Sequence, residues 1–179
     1  PIAAVVSVAG ASNGSPLADR MHAIYRSLGA KFPLPDCARG TGEELLDLRP
    51  DTRIAWWQDH GDSLTVPVFS LVAAPQPDHV SPATRATYNE LAKIDPRNDG
   101  KLLWQDQIPP RSHLLGYVNA DHWSIAVPVL KESPKASFLF RDTAPRTVLA
   151  EAAIEVVAAT LAARPPDGSP VTPGRESTR

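Results

Sequence analysis

Two stretches limit what this 179-residue chain can fold into more than any other feature: residues 2–9 (IAAVVSVA) and 66–74 (VPVFSLVAA). Both have strand length, and both are apolar almost without interruption. A strand with one wet face alternates polar and apolar residues, whereas one covered on both faces does not, so these runs read as parallel strands buried on each side. Such strands require helices to cover them. Helical spacing is present in residues 15–28, through Leu17, Met21, Ile24, Tyr25 and Leu28, after a capping residue at Asn13 or Ser15. Ser81-Pro82 opens a second helix to about residue 94, with proline at its first position. Residues 147–163 form the longest helical pattern, apolar around most of its circumference and expected to pack on the sheet. Strands alternating with helices predict an α/β fold with a mainly parallel sheet.

The segments between are shorter. Residues 29–42 (GAKFPLPDCARGTG) form a breaker-rich loop, 43–48 a short helix, and 50–61 a mixed segment around Trp56-Trp57. Residues 95–100 (DPRNDG) read as a turn, 101–105 as a short strand, 107–112 as a proline-rich loop, and 114–118 as extended. Residues 164–179, rich in Pro, Gly, Ser, Thr and charge, are expected to be a disordered tail. The chain starts at Pro1, its only methionine is Met21, and its first residues already read as a buried strand, so a fragment or processed chain of a larger protein is expected. A net charge of −2 gives no basic field for nucleic acid, and no apolar run approaches the roughly 18 residues of a membrane span. The single cysteine, Cys37, forms no internal disulfide, has no second soft ligand nearby, and leaves the cellular compartment open. No metal-ligand spacing, G-x-G-x-x-G or P-loop is present, so neither a metal nor a cofactor is expected.

Residues 10–14 (GASNG) spell G-x-S-x-G directly after the first strand, the written form of a nucleophile elbow, with Ser12 as the serine. An elbow also needs an oxyanion hole, one donor of which comes from a loop after an earlier strand. Only nine residues precede Gly10, so the plainer reading is a turn in which Ser12 is simply small and polar.

Four segments together resemble the α/β-hydrolase-fold lipases and esterases. Ala9-Gly10 followed by Gly14-Ser15-Pro16-Leu17-Ala18-Asp19 is similar to the family's G-S-x-x-A-D segment, which follows the strand after the nucleophile strand. Asp47-Leu48-Arg49-Pro50-Asp51-Thr52, with Val66-Pro67-Val68-Phe69-Ser70-Leu71, resembles a second lipase passage. Asp106-Gln107-Ile108-Pro109 resembles the D-G-x-V-P loop of the catalytic acid, with Gln107 in place of glycine, and Asn119-Ala120-Asp121-His122-Trp123 resembles the N-x-D-H segment of the catalytic histidine. The resemblance implies the C-terminal portion of an α/β-hydrolase fold over residues 1–163, with a lid-like insertion at about 20–65. It places Ser12 one strand too late and the nucleophile upstream of Pro1.

The chemistry requires an imidazole base and a carboxylate that fixes its tautomer. His122 is the expected base, on a loop between two extended apolar segments; His22, His60, His79 and His113 have framework or surface readings. Asp106 is the expected acid, in hydrogen-bond reach of His122. Asp78, just past the second strong strand, is its rival, while Asp121 is too close along the chain to turn onto the ring. The four tryptophans read as core or pocket wall. The expected function is serine ester hydrolysis on a small-molecule ester through an acyl-enzyme, with this chain supplying acid and histidine. The alternative is a truncated or degenerate hydrolase fold that binds a ligand or partner without catalysis. An apolar sheet edge left open by a missing half predicts self-association.

Overall fold

A computed structural model describes residues 2–28, 40–142 and 144–163. Cys37, most of the 29–42 loop and the 164–179 tail lie outside the described residues. Three strands, β1 (Val5–Val8), β2 (Val68–Ala73) and β3 (His113–Val118), form one parallel sheet in the order β1-β2-β3. Six helices accompany them: α1 (Ala18–Leu28), α2 (Pro50–His60), α3 (Arg85–Leu91), α4 (His122–Ala126), α5 (Val129–Glu132) and α6 (Arg146–Ala162). Short 3-10 turns at Glu43–Leu48, Pro82–Thr84 and Gln105–Gln107 join them.

The central strand β2 is buried along its whole length, as its nearly continuous apolar run requires. One core cluster joins Ala9, Leu71, Ala73, Val118, Ala120 and Ile125, and Leu149 of α6 packs against it. A second gathers Leu17, Leu91 and Leu103, with Met21 packed against it. The first strand departs from expectation: Val5, Val6 and Val8 are 39, 37 and 43 % exposed, because β1 has a strand neighbour on one side only among the described residues. The apolar sequence of α6 leaves Val148 and Ile154 exposed for the same reason, as no described element covers that face.

Two further segments differ from the sequence reading. Residues 50–60 form one helix, opened by Pro50 at its first position with Asp51 in its first turn. Residues 101–105 form no strand. Instead a single bridge pairs Asn98 with Leu103, and a 3-10 turn carries Gln105 to Gln107.

Gln107, set where the resemblance would place glycine, is fully buried and clamps the end of β2. Its Oε1 accepts from the Ala73 N–H at 2.7 Å, and its Nε2 donates to the Ala73 carbonyl at 2.9 Å. One side chain thus satisfies both backbone groups of Ala73 beyond the end of β1. Gln107→Leu should leave that N–H and C=O buried and unpaired, each at about 1–3 kcal/mol. A loss of roughly 2–6 kcal/mol in denaturant-unfolding free energy is expected, against a small change for a surface variant such as Lys93→Gln.

Candidate active site

Parallel strands put their following loops along one edge of the sheet, and three loops meet there. The β1 loop is a tight turn in which Gly14 has φ +89°, and a Cβ at that position would meet the Leu48 carbonyl at 2.6 Å. Asn13 fastens this turn to residues 105–108: its N–H donates to the Asp106 carbonyl (2.9 Å), and its Nδ2 to the carbonyls of Gln105 (3.1 Å) and Ile108 (2.9 Å). The Ser15 hydroxyl donates to the Lys101 carbonyl at 2.6 Å. The turn after β1 and the segment after α3 are therefore one hydrogen-bonded unit.

His122 follows β3 by three residues, but it stands on a helix and not on a loop. Asp121 caps α4 with its Oδ1 accepting from the Ser124 N–H at 2.9 Å, so His122 is the first helical residue. The loop expected between two extended segments is thus a capped helix start, with the imidazole on its first residue.

The carboxylate that meets the ring belongs to Asp99. Its Oδ2 lies 2.8 Å from His122 Nδ1, across 23 positions of sequence. A second link joins the two residues, since the His122 backbone N–H donates to the Asp99 carbonyl at 3.0 Å. Asp99 is fully buried, whereas the His122 side chain is 27 % exposed. The other carboxylate oxygen accepts from the N–H groups of Lys101 (2.8 Å) and Leu102 (2.7 Å). A carboxylate accepts, so Nδ1 carries a proton, and in the neutral form of the ring Nε2 keeps its lone pair.

The turn that holds Asp99 is itself pinned. Gly100 has φ +87°, a conformation that suits glycine, and its N–H donates to Asn98 Oδ1 at 3.0 Å. Asn98 is fully buried, with its Nδ2 donating to the carbonyls of Asp95 (3.2 Å) and Tyr88 (3.4 Å). At the start of the turn, Arg97 binds both carboxylate oxygens of Asp95, at 3.0 and 2.8 Å, and the indole N–H of Trp104 donates to Oδ2 at 3.1 Å. The Arg97 hydrogen bonds hold the Asp95 carboxyl down at about 2. Burial lowers the Lys101 ammonium, while the neighbouring Asp99 charge draws it back up.

The geometry corrects the expected pairing of acid and base. Among the described residues no hydrogen bond joins Asp106 to His122. Its Oδ2 is buried without a partner, and burial raises its pKa to about 6. The side chain is held in the 3-10 turn beside Gln107, whose clamp on Ala73 fixes that turn in place. Asp78 is largely exposed, with one oxygen 3.9 Å from His79. Ser12 is also apart from the pair. Its carbonyl accepts from Trp57 Nε1 at 2.7 Å and from Arg53 Nε at 3.3 Å, and no hydrogen bond joins its hydroxyl to His122. Its φ is not positive; at the end of β1 the one non-glycine residue with φ above zero is Ala9, at 46°. The strained backbone of a nucleophile elbow is absent at Ser12. The carboxylate that does meet the ring has a signal in the sequence: Asp99-Gly100 is a D-G dipeptide, the start of the loop pattern sought at Asp106.

The described residues contain no cluster of His, Cys, Asp or Glu able to hold a metal ion, and no helix long and apolar enough to cross a membrane. No protein-family model matches the chain, and no curated protein matches it. Solved structures do. The metagenomic carboxyl esterase MGS0156 is 38 % identical, with a TM-score of 0.79, and the match covers 88 % of this chain and 48 % of that one. The mature form of the Bacillus licheniformis lipase BlEst2 matches at 18 % identity and a TM-score of 0.51 over 68 % of this chain and 48 % of that one. Its propeptide form matches at 18 % identity and 0.52 over 80 % and 32 %. The second and third likenesses bear on the fold alone. This chain thus spans about half the length of the esterase it resembles. With its parallel sheet flanked by helices and its likeness to about half of a carboxyl esterase, the chain has the fold of the α/β-hydrolase lipases and esterases.

Proposed function

We propose that this chain supplies the base and the acid of a serine ester hydrolase, and that it is the C-terminal part of that enzyme. The observation that carries the reading is the 2.8 Å contact between buried Asp99 and accessible His122 at the loop edge of a parallel sheet. His122 Nε2 takes the proton of a serine hydroxyl as that oxygen attacks an ester carbonyl, and later returns it to the leaving alcohol. Asp99 holds the Nδ1–H tautomer and stabilises the imidazolium that forms. The serine and the oxyanion donors come from the part of the fold that this chain does not contain. The kinship to a carboxyl esterase supports a small carboxylic ester as substrate. A lid role for part of residues 20–65 belongs to the same proposal, with residues 20–28 and 40–65 as its described portions.

The test is turnover of a short p-nitrophenyl ester by the full-length protein. His122→Ala and Asp99→Asn should each lower kcat by about 10⁴-fold, since either change leaves the serine without a correctly oriented base. Ser12→Ala should leave turnover within about twofold of the parent, because a residue that touches no reacting group contributes little to the barrier. Full activity in His122→Ala would defeat the hydrolase reading and favour a fold that binds without catalysis. Loss of turnover in Ser12→Ala would restore Ser12 as the nucleophile.

Asp106 separates from Asp99 in a pH experiment. A carboxyl whose pKa is raised to about 6 binds its proton more tightly in the folded than in the unfolded chain. Stability from this group is therefore present below the ordinary value of 3.8 and declines as pH rises through about 6. Asp106→Asn should raise the melting temperature near pH 8, leave it unchanged near pH 4, and retain most esterase activity. A melting temperature unchanged at both pH values would remove Asp106 as a buried, proton-bearing group.

A further inference from the structure

The pairing of His122 with Asp99 depends on two separate pieces of chain, and one turn touches both through its buried end residues. That turn is the 3-10 segment Pro82–Thr84 together with Ser81, and both Ser81 and Thr84 are fully buried. On the base side it meets Asp121. The Ser81 N–H donates to Asp121 Oδ2 at 2.6 Å, and the Thr84 hydroxyl, 3.1 Å from the same oxygen, shares its proton with the Ser81 carbonyl at 3.0 Å. The other Asp121 oxygen caps α4, the helix that begins with His122. On the acid side the same threonine packs against Gly100, the residue after Asp99: a Cβ at Gly100 would stand 3.0 Å from Thr84 Cβ.

We propose that Thr84 and Asp121 are positioning residues for catalysis, setting the relative placement of His122 and Asp99 through this shared turn. The inference rests on the hydrolase reading above. Asp121 is fully buried and beside the base, yet neither of its oxygens is bonded to the imidazole. A capping bond alone needs one oxygen. The second reaches across 40 positions of sequence to Ser81 and 37 to Thr84, and so ties α4 to the element that packs on the acid turn. Helix capping alone does not account for those long-range bonds. Fixed placement does, because a misplacement of about 1 Å in reacting groups costs about a hundredfold in rate.

The experiment uses the full-length protein and the same ester assay, with kcat expressed per folded molecule as judged by circular dichroism. Thr84→Val keeps the shape of the side chain and removes its hydroxyl, whereas Thr84→Ser keeps the hydroxyl. Thr84→Val should lower kcat by about tenfold or more with KM within about twofold, and Thr84→Ser should restore most of it. In an Asp99→Asn background, Thr84→Val should have little further effect on kcat, because the pair that the hydroxyl aligns is already broken. Should Thr84→Val fail to fold, Asp121→Asn serves instead: it keeps an oxygen for the Ser124 N–H and turns an amide donor toward Ser81, and the same kcat pattern is expected. An unchanged kcat per folded molecule, or an equal loss in the Asp99→Asn background, would reduce the network to a fold-stabilising role and overturn the proposal. His122→Ala is the control that separates the two readings. Activity in that variant sinks the hydrolase assignment itself, whereas an inactive His122→Ala beside a fully active Thr84→Val sinks this inference alone.

Discussion

A carboxylate shut away from water must have its lone pairs occupied, and the candidate site is arranged around meeting that demand at Asp99. One oxygen takes two backbone N–H groups from the residues that follow it, and the other takes the imidazole. The local turn can supply the first two bonds because Gly100 has the positive φ that folds the chain back over its own carboxylate. It cannot supply the third. A buried carboxylate short of a partner is costly, so the fold gains when His122 is brought to that oxygen. The geometry that a hydrolase needs is in this way also a condition for burying Asp99.

That condition passes outward through the structure. His122 reaches Asp99 because α4 starts where it does, and α4 starts there because Asp121 caps it. Asp121 is a second fully buried carboxylate, with its own oxygens taken by the cap and by the turn before α3. Asn98 and Gln107 solve similar problems nearby, each spending a buried amide on backbone groups that the sheet and helices leave unpaired. Apart from the unpartnered Asp106 oxygen, the loop edge of this sheet is therefore a hydrogen-bonded polar layer and not a collection of separate surface residues. Such layers hold one arrangement well, since a partial rearrangement leaves several buried groups without partners.

Much of this architecture could be read from sequence where burial dictates pattern. The run at 66–74 is apolar throughout because β2 is covered on both faces, and the apolar circumference of α6 marks a helix meant to be packed widely. The N-x-D-H segment singles out His122 among the five histidines, and the structure pairs that ring with a buried carboxylate. Beyond its D-G dipeptide, the carboxylate that meets this ring is not marked in the sequence, for a physical reason. Asp99 and Asp106 both lie in breaker-rich sequence after a helix, and which of them faces the ring is decided by how α3 and the 105–107 turn pack, information that no local spacing carries. The composition of DPRNDG marks a turn, and the glycine that makes it one also bends Lys101 and Leu102 onto the carboxylate. The start of α4 is similarly hard to read, since Val127, Pro128 and Val129 favour extended chain while Asp121 caps the helix just before them.

The central claim is that His122 carries its proton on Nδ1 and shares it with Asp99. Nitrogen-15 NMR of the histidine-labelled full-length protein reads that tautomer directly, together with the deshielded proton of the imidazole–carboxylate bond. The account predicts one histidine in the Nδ1–H form with a strongly downfield proton, lost in Asp99→Asn and retained in Asp106→Asn. A downfield proton that survives Asp99→Asn, or one that disappears in Asp106→Asn, would contradict it.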